Sequence, residues 1–412
     1  MKKQKLVVIG NGMAGMRTLE ELLSAEPDLY DISVFGAEAH GNYNRILLSS
    51  VLSGEKSLDD IVIHDHAWYQ RHHIQLHTGP GKAVVEIKRG LGQVVTEDGS
   101  IAEFDRLLIA TGAKPLMPDL PGIDLKGVIA FRNIEHVDTM LKYSETHRHA
   151  IVLGGGLLGL EAANGLLQRG MSVTVIHNHA VLMNRQLDSV AGQLLQDQLR
   201  AKGMAFELAV RLQAILGNSE QHVEAIQLDD GRVLAGDLLV CAIGIQPNIQ
   251  LAKQAGLYCE RGIVVNDTLQ TYDPSIYAVG ECIQHRGQTF GLVAPLYEQA
   301  KICANHLAAH GMAGYVTPPM ATQLKVTGIQ LFSVGDFMGD ADSETLQFSD
   351  SLLGVYKKIV IKNHKIQGAV LYGDTHDGRW YQDLIEREHD ISELREQLLF
   401  GQPAMKAASL SH

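Results

Sequence analysis

Short apolar runs, each ending at a glycine, punctuate the first two-thirds of the chain. Leu6-Val7-Val8-Ile9 is apolar at every position, the pattern of a strand buried on both faces. It runs into Gly10-Asn11-Gly12-Met13-Ala14-Gly15, then into helical spacing through Leu23, and Ile32-Ser33-Val34-Phe35 supplies the next strand. The same order returns 144 positions later: Ile151-Val152-Leu153, Gly154-Gly155-Gly156-Leu157-Leu158-Gly159, a helix through about Arg169, and the strand Val173-Thr174-Val175-Ile176. Strand, glycine turn, helix, strand is the context that gives this glycine spacing meaning, and here it occurs twice.

Each glycine has a separate physical task. The first permits the tight turn, the second lets backbone approach a pyrophosphate, and the third lets helix and strand pack closely. Phosphates then sit on the helix N-terminus, where free N–H groups and the helix dipole favour negative charge. Gly10, Gly12 and Gly15 are thus expected to hold one dinucleotide, and Gly154, Gly156 and Gly159 a second.

Two further apolar runs close these units at glycines: Leu107-Leu108-Ile109-Ala110-Thr111-Gly112, and Leu238 through Cys241 to Gly244. Pro115, Pro118 and Pro121 mark a crossover, and Ser275-Ile276-Tyr277-Ala278-Val279, ending at Gly280-Glu281, reads as a strand returning to the first unit. Beyond Thr317 the pattern changes. Tyr356–Ile361 and Lys365–Leu371 flank Asn363-His364 as a hairpin, and Trp380–Leu399 reads as one amphipathic helix. The expected division is 1–114 and 246–316 for the first domain, 115–245 for the second, and 317–412 for a small α+β domain.

Composition narrows the function. With 412 residues, 45% apolar and 20% charged, the chain is ordinary globular material for two or three domains. A net charge of −12 argues against a general nucleic-acid binder, which needs surplus Lys and Arg. No run approaches the roughly 20 apolar residues of a membrane span. The apolar run after Lys5 stops at Gly10, too short for a secretory signal, so a cytoplasmic protein is expected. Four cysteines, at 241, 259, 282 and 303, include no Cys-x-x-Cys pair and read as small buried residues rather than a redox dithiol or metal site. His64-Asp65-His66 with His72, His73 and His77 resembles a metal cluster in composition alone; without helical or finger context it reads as a solvated surface segment.

Several segments carry a family resemblance: Gly41-Asn42-Tyr43-Asn44-Arg45-Ile46-Leu47-Leu48-Ser49, Ile276 through Cys282, His285-Arg286-Gly287-Gln288 leading to Gly291–Pro295, Thr322 through Gly328, and Gly368 through Asp374. With them the chain resembles the two-dinucleotide flavoprotein reductases built like glutathione reductase. Among these it is similar to the flavoprotein portion of NAD(P)H nitrite reductase large subunits and to the electron-transfer subunit of assimilatory nitrate reductase. The resemblance implies an α/β fold with Rossmann-like FAD- and NAD-binding domains plus a small C-terminal domain. It also implies FAD, NADH or NADPH, and a redox metalloprotein acceptor. In full-length nitrite reductase subunits, cysteine-rich iron–sulfur segments and a sirohaem domain follow this region. None of those cysteines follows Leu398-Leu399-Phe400-Gly401 here, so the expectation is transfer to a separate protein, or a piece of a longer one.

Residue by residue, the resemblance implies Arg45 at the flavin phosphates, with Asn44 beside it, and Ala110, Thr111, Gly112, Gly244, Gly280, Glu281 and Pro295 lining the cofactors. Glu38 is the nearest carboxylate for the flavin-side ribose, its alternative being a solvated loop acid. Glu298-Gln299-Ala300 resembles the helix whose N-terminus faces the flavin pyrimidine ring. Glu161 matches a glutamate near nicotinamide and flavin, or is simply a glutamate favoured by the helix dipole. His177-Asn178-His179 ends the second unit's second strand, where an acid selects NAD and an arginine accepts a 2′-phosphate; neither is present, and the family tips the reading to NADH. The arginine loop has no cysteine, which argues against peroxidase or disulfide chemistry, and Ser50 stands where ferredoxin-reducing relatives often carry lysine. Lys357, Lys358, Lys362 and Lys365 form either a basic docking patch or ordinary edge-protecting lysines. Three functions remain: a nitrate or nitrite reductase electron-transfer component, a rubredoxin or ferredoxin reductase, and a slow nucleotide-sensing flavoprotein.

Overall fold

The computed structural model describes residues 3–311, 313–317, 321–326, 328–350 and 352–402. Thr327 of the Thr322–Gly328 segment lies outside them. In chain order the elements used below are β1 (Gln4–Ile9), α1 (Met13–Ala25), β2 (Tyr30–Gly36), β3 (Gln75–Thr78), β4 (Arg106–Ile109), β5 (Val128–Ala130), β6 (His149–Leu153), α2 (Leu157–Gln168) and β7 (Ser172–His177). There follow α3 (Ser189–Ala201), β8 (Ala205–Leu208), β9 (Leu238–Cys241), β10 (Ile276–Ala278), α4 (Val293–Leu307), β11 (Ala321–Val326), β12 (Ile329–Gly335), β13 (Glu344–Asp350), β14 (Val355–Lys362), β15 (Lys365–Tyr372) and α5 (Gly378–Glu386).

The chain forms two compact units. The first comprises 1–116, 132–134 and 244–318; the second comprises 117–131, 135–243 and 319–412, so the nucleotide segment and the C-terminal segment group together. The first unit is built on a parallel sheet in the order β10-β4-β1-β2-β3. Its central strands are almost fully buried, Leu6 through Ile9 and Leu107 through Ile109 all at 5% exposure or less, which is why they read as continuous apolar runs. The second unit repeats the design as β5-β9-β6-β7-β8, again all parallel. In both sheets the strand order reverses beside the first strand, which opens a crevice at the carboxyl ends of the strands.

The C-terminal part of the second unit is an antiparallel sheet in the order β11-β12-β15-β14-β13. The hairpin at Asn363-His364 is a two-residue turn with both residues at positive φ (50° and 57°), the handedness that matches strand twist. The terminal helix is shorter than its sequence suggests: α5 stops at Glu386, and a 3-10 turn follows at Arg395–Phe400. The break has a local cause. Asp390 accepts hydrogen bonds from the backbone N–H and hydroxyl of Ser392, and Ile391, 1% exposed, donates its N–H to the His364 carbonyl.

The lysines of this hairpin do not form the basic patch. Lys357 and Lys358 are 6% and 8% exposed. Successive strand residues point to opposite faces. Lys357 accordingly meets Asp374 (3.0 Å) and Asp377 (3.1 Å) before α5, and Lys358 approaches Asp188 (3.6 Å), the N-cap of α3. Tyr356 donates to the same Asp188 at 2.7 Å. Lys362 and Lys365 are paired with Asp340 and Glu388.

Candidate functional site

In the first unit, Gly10 lies at φ +112°, and a Cβ there would stand 2.2 Å from the Ala110 carbonyl oxygen. Gly15 faces Ala110 on the other side, with a notional Cβ 2.9 Å from the Ala110 Cβ. Around Gly12 nothing lies within 4 Å of the Cβ position. The second unit repeats each feature. Gly154 is at φ +123° with the Ala242 carbonyl at 2.4 Å, a Cβ on Gly159 would fall 1.9 Å from the Gly154 oxygen, and Gly156 faces open space. Two glycines in each loop are thus needed by the fold itself. The middle one is needed by nothing the protein contains, and its bare backbone walls a cradle that a Cβ would fill.

The two helices rising from these loops, and α4 with them, are prepared for anions. α1, α2 and α4 have no side-chain N-cap and no acid in the first turn, whereas α3 is capped by Asp188. Pro295 sits in the first turn of α4. Glu161 lies further along α2, half-buried. Glu298 of α4 is exposed and paired with Lys301 at 2.7 Å. Its neighbour Gln299 is the residue turned inward, fully buried, accepting the Gly280 N–H at 2.9 Å.

A polar network surrounds the first cradle. Arg45 reaches the Glu38 carboxylate, donates to the Arg132 carbonyl at 3.1 Å, and lies over the Tyr43 ring at 5.0 Å; Tyr43 in turn donates to Glu38 at 2.6 Å. Burial opposes the Arg45 charge, and Tyr43 and Glu38 outweigh it, so the guanidinium stays firmly protonated. Asn44 caps the turn that carries Arg45, accepting the Ile46 N–H. Glu281 forms an ion pair with Arg132, and both stand next to Gly112, at φ +64°. Thr111 donates to the Asn248 carbonyl at 2.8 Å, tying Ala110–Gly112 to the segment after Gly244, itself at φ +131°. Gly280 is at φ +93°.

Sequence reasoning gave no role to four residues around this cradle. Arg132 lies in no motif; only the brief return of 132–134 to the first unit brings it to Glu281. Asn42 and Tyr69 brace the glycine loop: Asn42 donates to the Asn11 carbonyl (3.0 Å) and Tyr69 to the Asn11 side chain (2.7 Å). Gln299 was legible only as the neighbour of Glu298.

The histidine segment is not uniformly solvated. His64 is 6% exposed, pairs with Glu20 at 2.7 Å and stacks on Trp68 at 3.9 Å. Among the described residues no three His, Cys, Asp or Glu side chains are grouped to hold a metal ion. Among the same residues no helix is long and apolar enough to cross a membrane. Cys241, Cys282 and Cys303 are buried and Cys259 half-buried. Burial pushes the Cys282 thiol up to about 11 and that of Cys241 to about 12. Native protein is expected to react with Ellman's reagent at Cys259 alone, and at all four cysteines in denaturant. A second fast thiol would show that one of the three buried cysteines is accessible after all.

Two parallel sheets, each with a crevice edged by an open glycine cradle, define a protein that binds two dinucleotides. Residues 4–305 match the family model "Pyridine nucleotide-disulphide oxidoreductase", and 319–389 match "Rubredoxin NAD+ reductase C-terminal domain". The chain belongs to the pyridine nucleotide-disulphide oxidoreductase family, the FAD-dependent NAD(P)H oxidoreductases. It is 47% identical over 393 residues to nitrite reductase NAD(P)H of Bacillus subtilis strain 168, covering 95% of this chain and 48% of that protein. It is 44% identical over 399 residues to the assimilatory nitrate reductase electron transfer subunit of the same strain, covering 97% and 51%. The chain thus spans about half the length of these relatives. A crystal structure of a ferredoxin reductase from Rhodopseudomonas palustris matches with TM-score 0.83 and 25% identity, over 95% of this chain and 98% of that one.

Proposed function

We propose that this chain draws electrons from NADH and passes them through FAD to a redox metalloprotein, as the electron-transfer component of an assimilatory nitrate or nitrite reductase. The observation that carries the reading is the paired cradle, one open middle glycine in each of two congruent sheets. The identity of 44–47% to a nitrite reductase and a nitrate reductase electron transfer subunit supports the choice of acceptor. A cytoplasmic location goes with it.

In this reading Gly10, Gly12 and Gly15 hold the FAD pyrophosphate at the α1 N-terminus, and Glu38, Asn44 and Arg45 flank it. Ala110, Thr111, Gly112, Gly280, Glu281 and Pro295 line the rest of the site, and Gly154, Gly156, Gly159 and Gly244 receive the pyridine nucleotide. Bound FAD supplies the redox chemistry, accepting a hydride and releasing electrons singly. The protein contributes position and field. In this reading the uncapped α4 N-terminus faces the flavin pyrimidine ring with partial positive charge, and Glu161 and Glu298 are the carboxylates assigned near the reacting rings.

Anaerobic stopped-flow mixing with NADH tests the first half and should bleach the flavin rapidly. Subsequent mixing with a nitrate or nitrite reductase partner should restore its colour, and mixing with rubredoxin or ferredoxin should not. The C-terminal match to the rubredoxin reductase domain favours a second acceptor class. Transfer to a small iron carrier alone would select it, and absence of bleaching by either nucleotide would overturn the enzyme reading.

A further inference from the structure

Backbone hydrogen bonds align the two units residue for residue. The Gly10 N–H donates to the Phe35 carbonyl, and the Gly154 N–H to the Ile176 carbonyl, each at 2.8 Å. The strand registers agree, with Ile9 opposite Phe35 and Leu153 opposite Ile176. Counting on from these pairs sets Gly36 against His177, and Glu38 against His179.

His177 is not available to a ligand. It is 9% exposed, its Nδ1 accepts the Gly155 N–H at 3.2 Å, and its Nε2 meets the Asn184 side-chain oxygen at 3.3 Å. Its ring fills the space that a Cβ on Gly155 would enter, 2.8 Å away. Both nitrogens are used inside the protein, and burial holds the imidazole neutral. His177 therefore props the glycine loop from below.

His179 is exposed at the same strand end, its ring 5.4 Å from that of His177. From Asn178 to Leu187 the chain has no Asp or Glu. The next carboxylate, Asp188, is buried and already accepts the Ala191 N–H (3.0 Å) and the Tyr356 hydroxyl (2.7 Å). No acid in this segment is therefore placed to take the ribose 2′-hydroxyl and repel a 2′-phosphate. The segment also folds back onto the loop. The Met183 N–H donates to the Gly155 carbonyl at 2.9 Å, two residues before the exposed Arg185.

We infer that His179, with Arg185, is the ribose-facing pair of the second unit and accommodates a 2′-phosphate, so that NADPH is taken as well as NADH. The inference rests on the dinucleotide reading above. Imidazole and guanidinium supply donors suited to phosphate oxygens, with the guanidinium able to engage two at once.

Calorimetric titration of the purified, flavin-loaded protein with 5′-AMP and with 2′,5′-ADP tests it directly. The 2′,5′-ADP is expected to bind more tightly than 5′-AMP. His179→Glu should weaken 2′,5′-ADP by about tenfold or more while 5′-AMP holds or gains, and Arg185→Ala should weaken 2′,5′-ADP alone. Binding of 5′-AMP without 2′,5′-ADP would overturn the inference, as would a His179→Glu protein whose two affinities match the parent. If neither probe binds and NADH leaves the flavin coloured, the dinucleotide reading falls and takes the inference with it.

Discussion

Gly10→Ala is expected to yield protein stripped of flavin. The substitution fails twice over: φ is +112°, and the new methyl would sit 2.2 Å from the Ala110 carbonyl oxygen, backbone that cannot swing away. Relief requires β1 and β4 to part at the edge of the cradle. The informative comparison is Gly12→Ala. At φ −87° and ψ 176° alanine is unstrained, and nothing lies within 4 Å of its Cβ. The Gly12→Ala protein should therefore melt like the flavin-free parent while losing flavin, because the methyl occupies the space where a phosphate would approach. Visible flavin absorbance relative to protein, read beside the melting temperature, separates the two effects. Full flavin content in the Gly10→Ala protein would refute the assignment of this loop, and a lowered melting temperature without flavin loss in Gly12→Ala would refute the division of labour among its glycines.

Lys357→Met should give the second large effect, on stability. Lys357 is 6% exposed and lies 3.0 Å from Asp374 and 3.1 Å from the equally buried Asp377. Removing the cation leaves Asp377 desolvated without a counter-charge, a loss of about 3–5 kcal/mol. For a unit of this size that lowers the melting temperature by on the order of 10 °C. Lys365→Met on the same hairpin is the control: its pair with Glu388 is solvent-exposed and contributes little. The pH dependence follows from the directions of the shifts. Asp374 is held below its ordinary 3.8, its hydrogen bonds to His376 and Lys357 outweighing burial, so its contribution is present above that pH and lost in acid. Lys357 is raised above 10.5 by the two carboxylates, so its contribution is present below that pH and lost in strong alkali. The decrement should be constant between about pH 6 and 9. Equal melting temperatures for the two variants would show that the Lys357 cluster is not a buried one.

Much of the architecture was legible because glycine leaves a clear trace when backbone geometry demands it. Gly10, Gly15, Gly154 and Gly159 are each pinned by a carbonyl or a methyl group less than 3 Å from where a Cβ would stand, and the strands before them are apolar throughout. Arg132 was illegible because its place depends on the chain returning for three residues to the first unit. Lys357 and Lys358 of β14 misled because hairpin lysines are ordinarily solvated; here α5 and α3 cover both faces of the sheet, and acids meet each ammonium. The strand end at His177 was found, but which of two nearby histidines faces outward depends on hydrogen-bond register, which spacing alone does not reveal. The terminal helix was read too long because Asp390 competes for backbone N–H groups that a periodicity count treats as helical.

The slot beneath each glycine loop also has a consequence for substitution. In the first half of the molecule a side chain enters it from Asn11, and Gly36 stands opposite; in the second half it enters from His177, and Gly155 stands opposite. A Cβ on Gly36 would come within 3.1 Å of the Asn11 Cβ, and one on Gly155 within 2.8 Å of the His177 ring. Two bulky residues therefore collide, and enlarging either glycine requires its partner to shrink first. Within each pair the small residue sets how large its partner can be, so the two positions form one steric unit.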